Sequence, residues 1–211
     1  MNKPFIVAEM SANHLGDLAR AHRIIEAAAG AGADAIKFQT FTPEQMVDPD
    51  KVIDTGPWAG WKAIDLYRKA HTPREWHAQL FDHARNVGLT PFSSVFHPDD
   101  VDFLETLDCP IYKIASFELN DHTLIKRAAV TRKPIIISTG MASIDEIDLA
   151  LFHFRKVSAR TRSNPTILKC TSAYPADACD ANLATMAHIS ETFDCDTGLS
   201  DHTLGIGVAV A

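Results

Sequence analysis

The chain has 211 residues, enough for one large domain with a real hydrophobic core. Hydrophobic residues make up 46% of it and charged residues 22%, an ordinary globular composition rather than a disordered or fibrous one. A net charge of −7 with no Lys/Arg run argues against nucleic acid as a partner, and no apolar stretch is long enough to span a bilayer.

The first strand is expected near residues 5–10, which leaves no room for a signal peptide ahead of it. A helix follows near 17–31, with Leu18, Ala21, Ile25 and Ala28 on one face and Gly30 and Gly32 at its end. The second strand lies near 34–39. Residues 40–71 form a long connection punctuated by Pro43, Pro49, Gly56, Pro57 and Gly60; such a loop is functional or carries small elements of its own. Thr72-Pro73-Arg74-Glu75 reads as a capping box with Thr72 as the cap, opening a helix to about Asn86.

A third strand is expected near 89–94. His97-Pro98-Asp99-Asp100 opens a helix to about Leu107, the fourth strand lies near 111–115, and a helix near 121–131 follows. The fifth strand, near 134–138, starts behind Lys133-Pro134. Ser143-Ile144-Asp145-Glu146 is a second capping box, opening a helix to about Val157. Strand six near 166–170, a helix near 181–192, strand seven near 196–199 and a last helix opened by Gly205 complete the series.

Seven strands in βα order imply parallel pairing and right-handed crossovers. The expected fold class is α/β: a single TIM-type (β/α)8 barrel domain over residues 1–211, incomplete, with about seven strands. A closed barrel has eight strands and typically about 250 residues, so the chain reads as truncated by one strand and about two helices. The rival is an open doubly wound sheet, which gathers its ligands at one switch point. Here nearly every apolar run ends in chemistry-capable residues, which favours the barrel, whose site lies at the carboxyl ends of its strands.

Lys37 and Gln39 are two residues apart in a strand and share a face, while Ile36 and Phe38 take the other. Lys113 sits in the same context between Tyr112 and Ile114. Two inward lysines suggest a phosphate or carboxylate site; the competing reading has each snorkelling to solvent. Glu9, late in an apolar strand, is costly to bury unless paired, and a lysine would pair it. In Ser200-Asp201-His202-Thr203 the histidine can bind a metal and Asp201 can orient it, or Ser200 or Asp201 simply caps the next helix. Ser172-Ala173-Tyr174-Pro175 can offer hydroxyls to a polyol. His14 reads as structural with Asp17 as a helix cap, and His22, His77, His83, His153 and His188 read as solvated helix residues. Cys109, Cys170, Cys179 and Cys195 show no CxxC spacing and read as reduced, mostly buried thiols of a cytoplasmic protein. Nucleophile elbow, P-loop, GxGxxG and HExxH motifs are all missing from the chain.

The segments AEMSANHLGD, GADAIKFQTF, YKIASFELND, KPIIISTGMAS, KCTSAYPADACDANL and GLSDHTLGI, in this order and across essentially the whole chain, resemble the sialic acid synthase family. These enzymes join phosphoenolpyruvate to an amino-sugar aldehyde to make a nonulosonic acid. KAHTPREWHAQLFDHAR, YKIASFE and LKCTSAYP are most similar to the branch that uses a 2,4-diacetamido-2,4,6-trideoxyhexose, and Phe117, where sialic acid synthases tend to have Gly, fits a 6-deoxy sugar. N-acetylneuraminate or legionaminic acid synthesis is the alternative within the family. A metal-dependent aldolase, or a barrel fragment without catalysis, is the alternative outside it.

The resemblance implies a (β/α)8 barrel followed by a small antifreeze-like domain, a homodimer, and a divalent metal, usually Mn²⁺. It implies that Lys37, Lys113, Ser94 and Ser116 hold phosphoenolpyruvate, that Gln39, Glu118, Ser172, Tyr174 and Ser200 complete the substrate pocket, and that Glu9 handles protons. It implies that His202 is one of two histidine ligands to the metal. The second histidine belongs to an EKHF-type motif on the eighth strand, which this sequence lacks, as it lacks the antifreeze-like domain.

Overall fold

A computed structural model describes residues 3–56, 58–158 and 164–211; Pro57 of the long connection lies outside them. The chain divides into two compact units, one up to Pro110 and one from Ile111.

In the first unit the order is β1 (Val7–Glu9), α1 (Leu18–Gly30), β2 (Ala35–Thr40), α2 (Pro43–Met46), α3 (Ala63–Ala70), α4 (Arg74–Asn86), β3 (Thr90–Val95) and α5 (Pro98–Glu105). β2 pairs in parallel with β1 and with β3. Ile36 and Phe38 are fully buried, and Phe38 stacks on Phe81 of α4 with ring centroids 5.3 Å apart. The face carrying Lys37 and Gln39 is the opposite one, as the period of two requires. α1 buries Ala21, Ile25 and Ala28 at helical spacing, and Asp17 caps it, accepting from the backbone N–H groups of Ala19 (2.8 Å) and Arg20 (3.2 Å). The connection after β2 carries α2 and α3 as elements of its own.

Two expectations in this unit are corrected. Thr72 does not cap α4. Its hydroxyl pairs with Nε2 of the buried His14 at 3.3 Å, and Pro73 takes the cap position in an extended conformation. Pro73 holds a ψ of 136°, outside the helical range, so the helix starts one residue later. His77 is not solvated either. Its spacing with Leu80, Phe81 and Ala84 puts it on the buried stripe of α4, 1% exposed.

In the second unit the order is β4 (Tyr112–Ile114), a 3-10 turn (Ser116–Glu118), α6 (His122–Val130), β5 (Ile135–Ser138), α7 (Ile144–Ser158) and β6 (Thr166–Cys170). A second 3-10 turn (Ala178–Asp180), α8 (Thr185–Phe193), β7 (Thr197–Ser200) and α9 (Gly207–Val210) follow. β4 to β7 pair consecutively and in parallel. The Ser143–Glu146 capping box forms: Glu146 accepts from the Ser143 N–H at 2.8 Å, and the Ser143 hydroxyl accepts from the Glu146 N–H at 3.3 Å. The helix expected near 181–192 begins only at Thr185, because residues 183–184 form a turn ahead of it. Gly205 has a positive φ of 82° and forms a turn ahead of α9 rather than opening it.

Seven strands among the described residues, all in βα order, make the fold class that of an incomplete TIM-type (β/α)8 barrel. No helix among the described residues is long and apolar enough to cross a membrane. Three cysteines are buried, Cys179 is exposed, and all four are free thiols.

Candidate functional site

In the first unit the strand register builds a polar cluster at the carboxyl ends of β1, β2 and β3. Glu9 lies opposite Lys37, and Gln39 opposite Ser94. The Lys37 ammonium makes an ion pair with Glu9 and donates to Ser94 Oγ at 3.3 Å. Gln39 Nε2 donates to Glu9 Oε1 at 3.3 Å and to Ser11 Oγ at 3.4 Å, and the Ser11 N–H donates to Glu9 Oε1 at 3.1 Å. All four residues singled out in this half of the chain therefore meet. The carboxylate is paired and stays exposed, so the burial cost expected for it does not arise. Behind the cluster, the buried Ser93 hydroxyl donates to the Thr40 hydroxyl at 2.6 Å, with the Ser94 carbonyl oxygen 3.1 Å from Ser93 Oγ.

In the second unit Lys113 is 4% exposed. Its ammonium donates to the Ile114 carbonyl at 2.7 Å. Burial pulls its pKa down to about 7, against the raising pull of Cys170 and Glu118. Glu118 moves the other way, its carboxyl pushed up by burial, and its Oε2 is buried with no hydrogen-bond partner among the described residues. Ser116 accepts from the Gly140 N–H at 2.9 Å. Phe117, in the turn between Ser116 and Glu118, is 62% exposed.

The loop after β6 and the segment after β7 meet around His202. Its Nδ1–H donates to the Thr171 carbonyl at 2.9 Å, with Cys170 Sγ at 3.9 Å, so the lone pair of the neutral ring sits on Nε2. The Tyr174 ring packs on the imidazole with centroids 4.2 Å apart. Ser172 Oγ lies 3.9 Å from Cys170 Sγ, and Ser200 is the register partner of Cys170. Burial alone would raise the Cys170 thiol, but hydrogen bonds from His202, Ser116 and Ser172 bring it down to about 7. Burial raises the Tyr174 phenol. Asp201 does not orient the imidazole; it closes a turn by accepting from the Thr203 N–H at 2.9 Å.

Some groups passed over in the sequence belong to this picture. Ser138, at the end of β5, is buried, and its hydroxyl has no partner among the described residues. Its signal was the polar end of the run IIISTGM, which does not say which hydroxyl matters. Gly140 has a steric reason: a Cβ there would lie 2.4 Å from Ser172 Oγ and 3.1 Å from the Cys170 carbonyl oxygen. Cys170 itself reads in sequence as a small apolar residue.

For a divalent ion, His202 offers one imidazole. Among the described residues no three His, Cys, Asp or Glu side chains gather to hold a metal.

Parallel βα units with cations, carboxylates and hydroxyls at their strand ends are the arrangement of a (β/α) barrel, whose site lies at the carboxyl ends of its strands. Residues 24–211 match the NeuB family, and the chain belongs to it. It is similar to the pseudaminic acid synthase of Campylobacter jejuni subsp. jejuni, 44% identical over 209 residues, covering 96% of this chain and 60% of that protein. It is similar to the pseudaminic acid synthase of Helicobacter pylori, 46% identical over 209 residues, covering 97% of this chain and 61% of that protein. The crystal structure of N-acetylneuraminic acid (sialic acid) synthetase from Leptospira borgpetersenii in complex with citrate matches with a TM-score of 0.87 at 32% identity, over 98% of this chain and 68% of that one. The chain spans 60–61% of the length of those two curated relatives.

Proposed function

We propose that the protein is a phosphoenolpyruvate-dependent nonulosonic acid synthase of the pseudaminic acid type. It condenses phosphoenolpyruvate with 2,4-diacetamido-2,4,6-trideoxy-L-altrose and releases phosphate. The observation that carries this reading is the likeness, over nearly the whole chain, to two pseudaminic acid synthases.

The residue roles follow from the chemistry each group can perform. Lys37 with Ser94, and Lys113 with Ser116, are anion-holding groups for the carboxylate and phosphate while charge redistributes. Gln39, Glu118, Ser172, Tyr174 and Ser200 are the polar groups for the sugar, and the unpartnered Oε2 of Glu118 calls for a donor such as an amide N–H or a hydroxyl. The enol carbon attacks the aldehyde, water adds at C2 of the resulting cation, and phosphate leaves by C–O cleavage. Glu9 positions that water and takes its proton. His202 is the imidazole this chain offers to a divalent ion such as Mn²⁺.

Phosphate release by the whole protein tests the reading, with the altrose derivative and N-acetylmannosamine compared side by side. Faster turnover with the altrose derivative is expected. Faster turnover with N-acetylmannosamine replaces the pseudaminic reading with a sialic acid one, and phosphate release with neither sugar removes the activity altogether.

A further inference from the structure

Lys169 lies in β6 next to Cys170, and alternate residues of a strand face opposite ways, so it points away from the side where Cys170 meets His202. Its ammonium is spent on one segment. It donates to Thr171 Oγ1 at 2.7 Å, to the Cys170 carbonyl at 3.3 Å and to the Asp180 carbonyl at 3.3 Å. The Thr171 hydroxyl donates in turn to the Asp180 carbonyl at 3.1 Å, and Asn182 Nδ2 donates to the same oxygen at 3.2 Å. That carbonyl ends the 3-10 turn, which Asp177 caps by accepting from the Cys179 N–H at 2.9 Å. Thr171 and Asp180 are nine positions apart, and the segment between them carries Ser172 and Tyr174. Midway, the Ala176 N–H donates to the His202 carbonyl at 2.9 Å.

A charged donor makes stronger hydrogen bonds than a neutral one, and a partly buried ammonium must be used to offset its desolvation. Here it fastens both ends of the loop. We infer that Lys169 is a positioning residue that holds the Thr171–Asp180 segment in the shape that presents Ser172 and Tyr174, without touching substrate itself. The inference rests on the nonulosonic acid synthase reading and adds to it a residue on the far side of the strand.

The test uses Lys169→Met and Lys169→Arg in the whole protein. Phosphate release is measured with sugar and phosphoenolpyruvate varied separately, alongside amide hydrogen exchange. Lys169→Met is expected to raise the sugar KM about tenfold or more, as loss of a supporting hydrogen-bond partner does, with the phosphoenolpyruvate KM held. Exchange should quicken across Thr171–Asp180 and not in β6, and Lys169→Arg should recover most of both effects. Wild-type exchange in Lys169→Met, or a lower kcat with both KM values unchanged, overturns the inference. If the wild-type protein releases no phosphate with either sugar, the reaction reading has failed, and exchange with arginine rescue alone decides whether Lys169 holds the segment. Should Lys169→Met not fold, Thr171→Val removes the hydroxyl that links Lys169 to Asp180 and carries the same expectations.

Discussion

The Thr40 hydroxyl donates to His77 Nε2 across 2.9 Å, while His77 Nδ1–H donates to the Pro73 carbonyl at 3.0 Å. The carbonyl can only accept, which fixes Nδ1 as the protonated nitrogen and leaves Nε2 to accept from Thr40. The ring is therefore neutral, buried, and committed on both sides. It ties α4 to the end of β2, and through Thr40 and Ser93 to the backbone that carries Ser94.

Burial pushes the His77 pKa down to about 4, below the ordinary 6.5 of an unfolded histidine. Between those values the unfolded chain binds a proton that the folded one does not, so stability rises with pH through this window. His77 contributes fully above about pH 6.5 and loses its contribution as the pH falls toward 4, a change on the order of 3 kcal/mol. Urea midpoints measured from pH 4 to 8 should show this slope, and His77→Phe should flatten it. An unchanged slope in the variant would show that His77 is not its source.

Lys113 titrates near neutrality because it is buried, and an anion bound beside it would restore its charge. Phosphoenolpyruvate binding near pH 8 should therefore take up protons, up to about one per site. Calorimetry in buffers of different ionisation enthalpy reads this directly. Lys113→Met should weaken binding and remove the uptake; uptake that persists would assign it to another group.

Gly140 has no room for a side chain. Gly140→Ala should displace Ser172, destabilise the fold by about 1–3 kcal/mol as overpacking does, and cut phosphate release. Because the closest clash is with a hydroxyl oxygen 2.4 Å away, adding Ser172→Ala should recover part of the stability without activity. Equal melting temperatures for the single and double variants would count against the clash as the cause.

Asp100 is fully buried, accepts from the N–H groups of Phe96 (3.1 Å) and His97 (2.9 Å), and is paired with Arg74 at 3.0 Å. Arg74→Leu should cost about 3 kcal/mol by leaving a buried carboxylate without its cation. Asp100→Asn in the Arg74→Leu background should recover part of that in chemical denaturation. No recovery would mean that lost packing against Phe103, not charge, sets the cost.

What the sequence made legible follows from range. The strands, the face shared by Lys37 and Gln39, and the caps at Asp17 and Ser143 depend on neighbours a few residues away, so periodicity and local chemistry expose them. Thr72 misled because its partner, His14, is 58 positions distant and outbids the local backbone for the hydroxyl. His77 misled because a polar residue on a buried stripe is told from a surface one only by partners on other elements, here Thr40. Cys170 acquires its character from Ser116, Ser172 and His202, three residues scattered along the second unit. The Ser143 box and the Thr72 sequence look alike on paper; only the second had a distant competitor.

The pairing of Glu9 with Lys37 and of Gln39 with Ser94 rests on the same two-residue alternation that sends Ile36 and Phe38 into the core. One inserted residue ahead of Lys37 would shift the strand by only about 3.3 Å, yet it would turn the whole strand over. The ammonium would go into the hydrocarbon and the phenyl ring toward Glu9 and Ser94. Chemistry and folding thus share one reading frame in this strand: an indel here abolishes both together, whereas the long connection after Thr40 can absorb length changes without inverting anything.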